Sequence, residues 1–377
     1  MKKSVLILCL LTGLSVALIG QRRSEPLDIT IDFESYDPPS TLVVPENPKI
    51  RSKFPFVDIH NHQWRLGEGD LSKLVSEMDS LNMEVLVNLS GRGGATLKQM
   101  TDNIKAQELD HRFVVFTNIN IQSIDEPDWS VETVKQIEFD VANGAKGLKI
   151  YKSQGMSNKD KNDQRIPIDD PRIDPIWAKC GELDIPVLIH SADPRSFWAP
   201  HDSLNERWLE LKLRPGRKRG PDNPASWEQI ISEQHHIFQK HPNTTFINAH
   251  FGWYANHLEY LSMLLDSMPN MHVEFGAVIA ELGRQPRNAA KFFEKYQDRI
   301  LFGKDSYQPK EYYTYFRVLE TDDEYFPYYK RYHAFWRMYG LDLSDDILKK
   351  IYYKNAAKLL KLDLAQFEKS DEMDDAN

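Results

Sequence analysis

Eight short apolar runs rich in β-branched and aromatic residues recur along the chain, separated by polar, amphipathic stretches. They are residues 55–60 (PFVDIH), 84–89 (EVLVNL), 113–121 (FVVFTNINI), 147–151 (GLKIY), 186–190 (PVLIH), 245–249 (TFINA), 272–275 (HVEF) and 300–303 (ILFG). Their starts lie about 27 to 40 residues apart, with one gap near 60. Between them sit helical patterns such as LSKLVSEMDSLNM, SWEQIISEQHHIFQKH and AAKFFEKYQD. Strand-helix alternation implies parallel strands joined by crossovers. Eight such units predict a closed (β/α)8 TIM barrel, a fold of about 250 residues that grows by insertion. A doubly wound open sheet is the competing fold, but it usually carries a Gly-rich phosphate turn after its first strand. Here the first run leads into His60-Asn61-His62.

Catalytic side chains of a barrel enzyme project from the C-terminal ends of its strands, and polar residues collect there. The first run ends Asp58-Ile59-His60-Asn61-His62, the fifth Ile189-His190-Ser191, the sixth Asn248-Ala249-His250 and the eighth Gly303-Lys304-Asp305. Side chains alternate across a strand with a period of two. Asp58, His60 and His62 therefore share one face, and Val57 and Ile59 take the other. Two imidazoles on one face form half of a metal site. Neutral imidazole suits zinc, iron, nickel or copper, and a carboxylate balances charge. His190 and Asp305 complete a set of three histidines and one aspartate, with an open position for water, whose pKa a cation lowers toward neutrality. A lone strand-end histidine is more often a packed or surface residue than a ligand, so no single one decides. The joint pattern carries the expectation, with four of eight strands ending in ligand-type residues aimed at one mouth.

Composition narrows the function further. Lys and Arg number 47 and Asp and Glu 56, a net charge of −9, which argues against nucleic acid as a partner. A mean hydropathy of −0.54 excludes a polytopic membrane protein. Two cysteines, Cys9 and Cys180, build neither a disulfide scaffold nor a thiolate zinc cage. Lys2 and Lys3 precede an apolar run at 5–20 (VLILCLLTGLSVALIG), the pattern of a secretory signal peptide over residues 1–20. An uncleaved membrane anchor is the alternative. Cleavage places the protein in the periplasm or outside the cell, with no stable membrane insertion. Residues 21–53 read as a linker or wrapped arm, 54–362 as the barrel domain and 363–377 as an acidic disordered tail.

These motifs resemble amidohydrolase family 2 of the amidohydrolase superfamily. DIHNH stands on the first strand, LIHS after the fifth, NAHFG after the sixth and LFGKDSY after the eighth. The segment 347–360 (ILKKIYYKNAAKLL) is similar to the family's closing helix with its Asn-Ala pair, so the likeness spans about 54 to 360. The eighth segment departs from the usual G-S-D-Y-P: Lys304 replaces a small residue, and Ser306-Tyr307-Gln308 precede Pro309. The resemblance implies one divalent metal ion, zinc first and manganese as the alternative, held by His60, His62, His190 and Asp305. It implies His250 beside the activated water, polarising the substrate carbonyl or moving a proton, and Asp305 accepting the water's proton. The implied reaction is hydrolysis of a C–O or C–N bond, as in a lactone or cyclic amide, in a small carboxylated or hydroxylated molecule. A decarboxylase or hydratase of the same branch, a lyase using the same ligands, is the alternative. A non-catalytic binding protein on this scaffold is a third reading, which the intact ligand set opposes.

Lys149 lies between Leu148 and Ile150 with its side chain inward, and a buried lysine is costly unless paired or used. Three readings stay open: carboxylation to bridge two metals, binding of a substrate anion, or pairing with a barrel carboxylate. Arg92 in SGRGG and Arg195 in ADPR reach an acidic substrate through bidentate contacts, or are ordinary loop arginines. Residues 193–226 form a long insertion after the fifth strand. In it, Phe197, Trp198 and Trp208 read as an aromatic wall or lid, and the basic RPGRKRG at 214–220 reads as a solvated loop. The aromatic stretch after the eighth strand closes the mouth or forms a homodimer interface. Asn88 and Asn243 match the glycosylation pattern, although Asn88 falls at a buried strand end.

Overall fold

Eight parallel strands follow one another in chain order around a barrel in the computed structural model, which describes residues 27–333 and 335–368. They are β1 (Phe56–Asn61), β2 (Met83–Asn88), β3 (Phe113–Thr117), β4 (Ala145–Ile150), β5 (Val187–Ile189), β6 (Phe246–Asn248), β7 (Met271–Glu274) and β8 (Ile300–Leu301). Each coincides with one of the eight apolar runs. Parallel strands covered on both faces read as continuous apolar sequence, and β1, β3, β5, β6 and β8 are buried at every position. The ring closes between its ends, where the Ile59 N–H donates to the Phe302 carbonyl (3.0 Å) and the Asp305 N–H to the His60 carbonyl (2.6 Å).

The outer helices are α1 (Ser72–Leu81), α2 (Ala95–Ala106), α3 (Trp129–Ala142), α4 (Asp174–Glu182), α5 (Trp208–Leu213), α6 (Trp227–Lys240), α7 (Leu258–Ser267), α8 (Ile279–Gly283), α9 (Pro286–Tyr296) and α10 (Pro309–Glu320). Local chemistry sets their limits. Ser226 caps α6 by accepting the Gln229 N–H (3.2 Å). The same helix buries Trp227, Ile230, Ile231, Gln234, Ile237 and Phe238 at helical spacing. Asn82 stops α1 in a left-handed conformation and turns the chain into β2. The closing helix is two pieces, α11 (Asp345–Lys349) and α12 (Asn355–Leu360), joined by a π turn, Lys350–Lys354. The π turn presents the Ile351 carbonyl to the Phe302 N–H (3.0 Å). Asn355, the Asn of the Asn-Ala pair, donates to the Gln297 and Ile300 carbonyls at 2.7 Å each.

The insertion between β5 and α6 carries α5. Phe197 is buried in it, and Trp198 donates its indole N–H to the Ala225 carbonyl (2.9 Å). Trp198 is also packed against the hydrophobic core. The aromatic stretch after α10 forms a two-stranded antiparallel ribbon, β9 (Phe326–Pro327) with β10 (Arg337–Met338). A buried ionic cluster clasps the two segments to the barrel. Arg207 donates to Glu210 (2.9 Å) and to Glu281 of α8, and His333 contacts Glu210 at 3.2 Å. Phe367 is buried against the Tyr353 ring (5.1 Å), so packing continues past Leu362. Residues 27–39 belong to a separate small unit with one 3-10 turn, Phe33–Ser35. The expected signal peptide at 1–20 and residues 369–377 of the expected tail lie outside the described residues. Among the described residues no helix is long and apolar enough to cross a membrane.

Candidate metal centre

One ligand atom from each of His60, His62 and Asp305 lies within 4.8 Å of the others. Asp305 Oδ1 is 3.5 Å from His60 Nε2 and 3.7 Å from His62 Nε2. Two ligands of one tetrahedral zinc stand roughly 3.3 Å apart, the edge set by bonds of about 2.0–2.1 Å. The three atoms are therefore spaced for a shared cation.

The far side of each imidazole is already engaged. His60 Nδ1 meets Glu274 Oε1 at 2.8 Å and His62 Nδ1 meets Ser90 Oγ at 2.8 Å. A carboxylate only accepts, so Nδ1 of His60 carries the proton and Nε2 presents a lone pair. Burial, followed by the nearby Lys149 charge, drives His60 well below the usual imidazole range and His62 down to about 4. Both rings are neutral near pH 7, the state that ligation needs. Asp305 reaches them from a left-handed backbone, φ 79°. Burial pushes its carboxyl up, but His60, His250, His62 and Lys149 outweigh it and hold Asp305 at about 2.

Glu274, at the end of β7, is fully buried and organises this layer. Its Oε1 accepts from His60 and from the His250 backbone N–H (2.8 Å), and its Oε2 accepts the Gly276 N–H (2.6 Å). It forms a second convergent group with His60 and His250. Because it takes the Nδ1 side of His60, it orients the ligand face from behind, the usual arrangement of carboxylate, imidazole and metal. Glu274 was absent from the sequence expectations. The signal was available, since HVEF places an acid at the C-terminal end of an otherwise apolar strand.

His250 follows β6 on a left-handed run, with φ of 57°, 54° and 58° at His250, Phe251 and Gly252. The two residues with a Cβ cost roughly 1–2 kcal/mol each in this region, whereas Gly252 adopts it freely, and a Cβ there would meet Asn248 Nδ2 at 2.4 Å. The run swings the imidazole back into the barrel, where Nδ1 lies 2.6 Å from the Gly276 carbonyl and Nε2 lies 3.3 Å from His190 Nδ1. A carbonyl only accepts, so Nδ1 carries a proton. Nε2 then accepts from His190 Nδ1–H, which leaves His190 Nε2 as a lone pair. That atom is buried without a hydrogen-bond partner among the described residues. His190 stands outside the tight trio of His60, His62 and Asp305, yet its orphaned nitrogen is the kind of atom a cation satisfies. Trp253 packs on both rings, 4.6 Å from His250 and 5.7 Å from His190.

Asp58 departs from expectation. Its carboxylate accepts from the Tyr312 hydroxyl (2.6 Å), Asn61 Nδ2 (2.7 Å) and the His60 and Lys304 N–H groups (3.1 Å each). It braces β1 against the chain after β8 instead of facing the histidines. Burial raises it to about 6 against these donors. Lys304, the unusual residue of that segment, is buried and pairs with Glu311 at 2.6 Å.

Lys149 points inward as expected, 1% exposed, with Nζ 3.4 Å from His60 Nε2. Burial lowers it to about 8, and Asp305 and Glu274 pull the other way. Arg92 is exposed and lies over the Trp64 ring (5.3 Å), which in turn stacks on His62 (6.0 Å). Arg195 is exposed, pairs with Glu228 (2.6 Å) and covers Trp227 (5.6 Å). Asn88 is fully buried and bonded to Gln63, which bars it from glycosylation in the folded chain.

The profile of the family described as Amidohydrolase matches residues 99–362. His60 and His62 precede that span, while His190, His250 and Asp305 fall within it. A Staphylococcus aureus protein assigned as an amidohydrolase shares the fold at 18% identity, covering 82% of this chain and 100% of that one, with a TM-score of 0.50. The 5-carboxyvanillate decarboxylase of Sphingomonas paucimobilis is 13% identical over 78% of this chain and 84% of that one, TM-score 0.47. An amidohydrolase from Burkholderia multivorans with bound zinc is 12% identical over 82% and 100%, TM-score 0.47. No curated protein matches the chain.

Proposed function

The chain belongs to the amidohydrolase family of metal-dependent enzymes, and on that footing we propose that it hydrolyses a lactone, cyclic ester or amide in a small carboxylated or hydroxylated substrate. One observation carries the proposal: the Nε2 atoms of His60 and His62 and a carboxylate oxygen of Asp305 converge, with both imidazoles held from behind. These three residues, with His190 as the fourth, are assigned to hold one divalent ion, zinc or manganese. When bound, the cation supplies Lewis acidity and lowers the pKa of water. Asp305 carries the negative charge of the ligand set and is assigned to accept the water's proton, while His250, whose Nδ1 is fixed on the Gly276 carbonyl and whose Nε2 is directed toward the ligand layer, polarises the substrate carbonyl or moves a proton. Trp253, against His250, and Tyr151, stacked on His62, wall the site. Lys149 is placed to attract an anionic substrate group.

Purified protein from metal-replete growth is expected to contain about one equivalent of zinc or manganese per chain, and Asp305→Asn to contain much less. A metal-free wild type would sink the assignment. Assay of sugar lactones, cyclic amides and aromatic acids distinguishes the reactions, since ring opening supports hydrolysis and carbon dioxide release assigns lyase chemistry.

Lys149→Met is expected to retain one metal and to raise KM for anionic substrates by about tenfold or more, the loss of one charged hydrogen bond. Loss of a second metal equivalent in that variant would instead mark Lys149 as a carboxylated bridge.

A further inference from the structure

The basic stretch of the insertion is not solely a solvated loop. Part of it, Lys218 and Arg219, faces the loop that follows β4 across a cavity of about 540 Å3, within the size range of small-molecule sites. Five cationic residues line that cavity, Lys152, Lys159, Arg165, Lys218 and Arg219, and none of its lining residues is acidic. Both loops leave the C-terminal ends of strands, so the cavity opens on the same barrel face as the metal centre.

The cations are fixed by carboxylates standing behind them. Asp193, 5% exposed, accepts Lys152 Nζ at 2.5 Å and Arg219 Nη2 at 2.7 Å. Glu233, 8% exposed, takes Arg165 through both guanidinium nitrogens, one of them at 2.9 Å. Asp163 takes Lys159 at 2.8 Å. Five positive charges against three negative leave 5 − 3 = +2 at the cavity, on a chain whose net charge is −9. Lys218 Nζ donates to a neutral partner, the Ala199 carbonyl (3.2 Å). Arg219 Nε is buried with no acceptor among the described residues. Like charges gathered around a void repel unless an anion enters, and a buried donor without an acceptor calls for a partner. Asp193 and Glu233 hold the donors in place beforehand, which lowers the cost of binding.

We propose that this cavity, lined by none of the residues assigned to hold the metal, is a second ligand site which binds a small multiply charged oxyanion of the phosphate or polycarboxylate type. Guanidinium and ammonium groups recognise the oxygens of either through charge-assisted hydrogen bonds.

The test uses the full-length protein as purified, with its metal content checked after each titration so that chelation at the metal centre is accounted for. Calorimetric titration with inorganic pyrophosphate and, separately, with citrate is expected to show saturable 1:1 binding that weakens with salt. Tighter binding of one probe assigns the source as phosphate or carboxylate. Adding Lys218→Gln and Arg219→Gln is expected to weaken binding at least about tenfold, near 1.4 kcal/mol. Lys159→Gln, at a half-exposed side chain, should weaken it a few-fold with unchanged melting. Absence of saturable binding, or equal affinity in the substituted proteins, overturns the proposal and leaves the metal assignment untouched.

Discussion

Glu274→Ala is expected to cost about 3–5 kcal/mol of stability and to lower metal affinity about 10- to 100-fold. The carboxylate is buried and receives three donors, the His60 ring and the backbone N–H groups of His250 and Gly276. Removing it strands all three where water does not reach, and an unsatisfied buried donor costs roughly 1–3 kcal/mol. The loss extends to function because His60 then has nothing to fix its tautomer. Glu274→Gln keeps the shape but offers one acceptor oxygen in place of two, so it should fall between wild type and alanine. Urea denaturation and metal titration read the two effects separately. Complete loss of metal in the glutamine variant would mean that Glu274 is itself a ligand, together with His60 and His250. Unchanged metal affinity in the alanine variant would remove Glu274 from the site altogether.

His250→Ala is expected to retain about one metal equivalent and to lose about 100- to 10,000-fold in kcat, the usual contribution of a positioned general acid or base. Its ring does not belong to the trio of His60, His62 and Asp305, which supports normal loading. Its backbone is left-handed, so alanine adds strain that would blur the result. Asparagine tolerates that conformation better. His250→Asn should match alanine in activity and exceed it in melting temperature. A parallel fall in metal content would reassign His250 as a ligand.

The barrel was legible because strands covered on both faces need unbroken apolar runs, and these stand out against amphipathic helices. The limits of the strands were less so. The third run reads as strand through Ile121, yet β3 ends at Thr117. Asn118 turns aside to bond the Leu89 carbonyl, and Asn120 caps a 3-10 turn by accepting the Gln122 N–H. The eighth strand holds only two residues because the Phe302 N–H goes to the closing helix. His60, His62 and Asp305 are legible as polar side chains that end a strand, and Glu274 in HVEF answers to the same rule. Asp58 was misplaced because strand alternation gives a face and no depth. The pairing of Lys152 with Arg219 through Asp193 joins two loops that no spacing connects.

The first and last strands meet where the Asp305 N–H reaches the His60 carbonyl, and the trio of ligand atoms straddles that seam. A cation seated there would act as a rivet across the join, gripped from both sides only once the cylinder has shut. Occupancy and folding are then thermodynamically linked, and saturating ion at 100 times its dissociation constant adds about 2.7 kcal/mol to the resistance against unfolding. Stripping the ion should loosen this junction first, with amides of β1 and β8 exchanging their hydrogens sooner than those of β4 on the opposite wall.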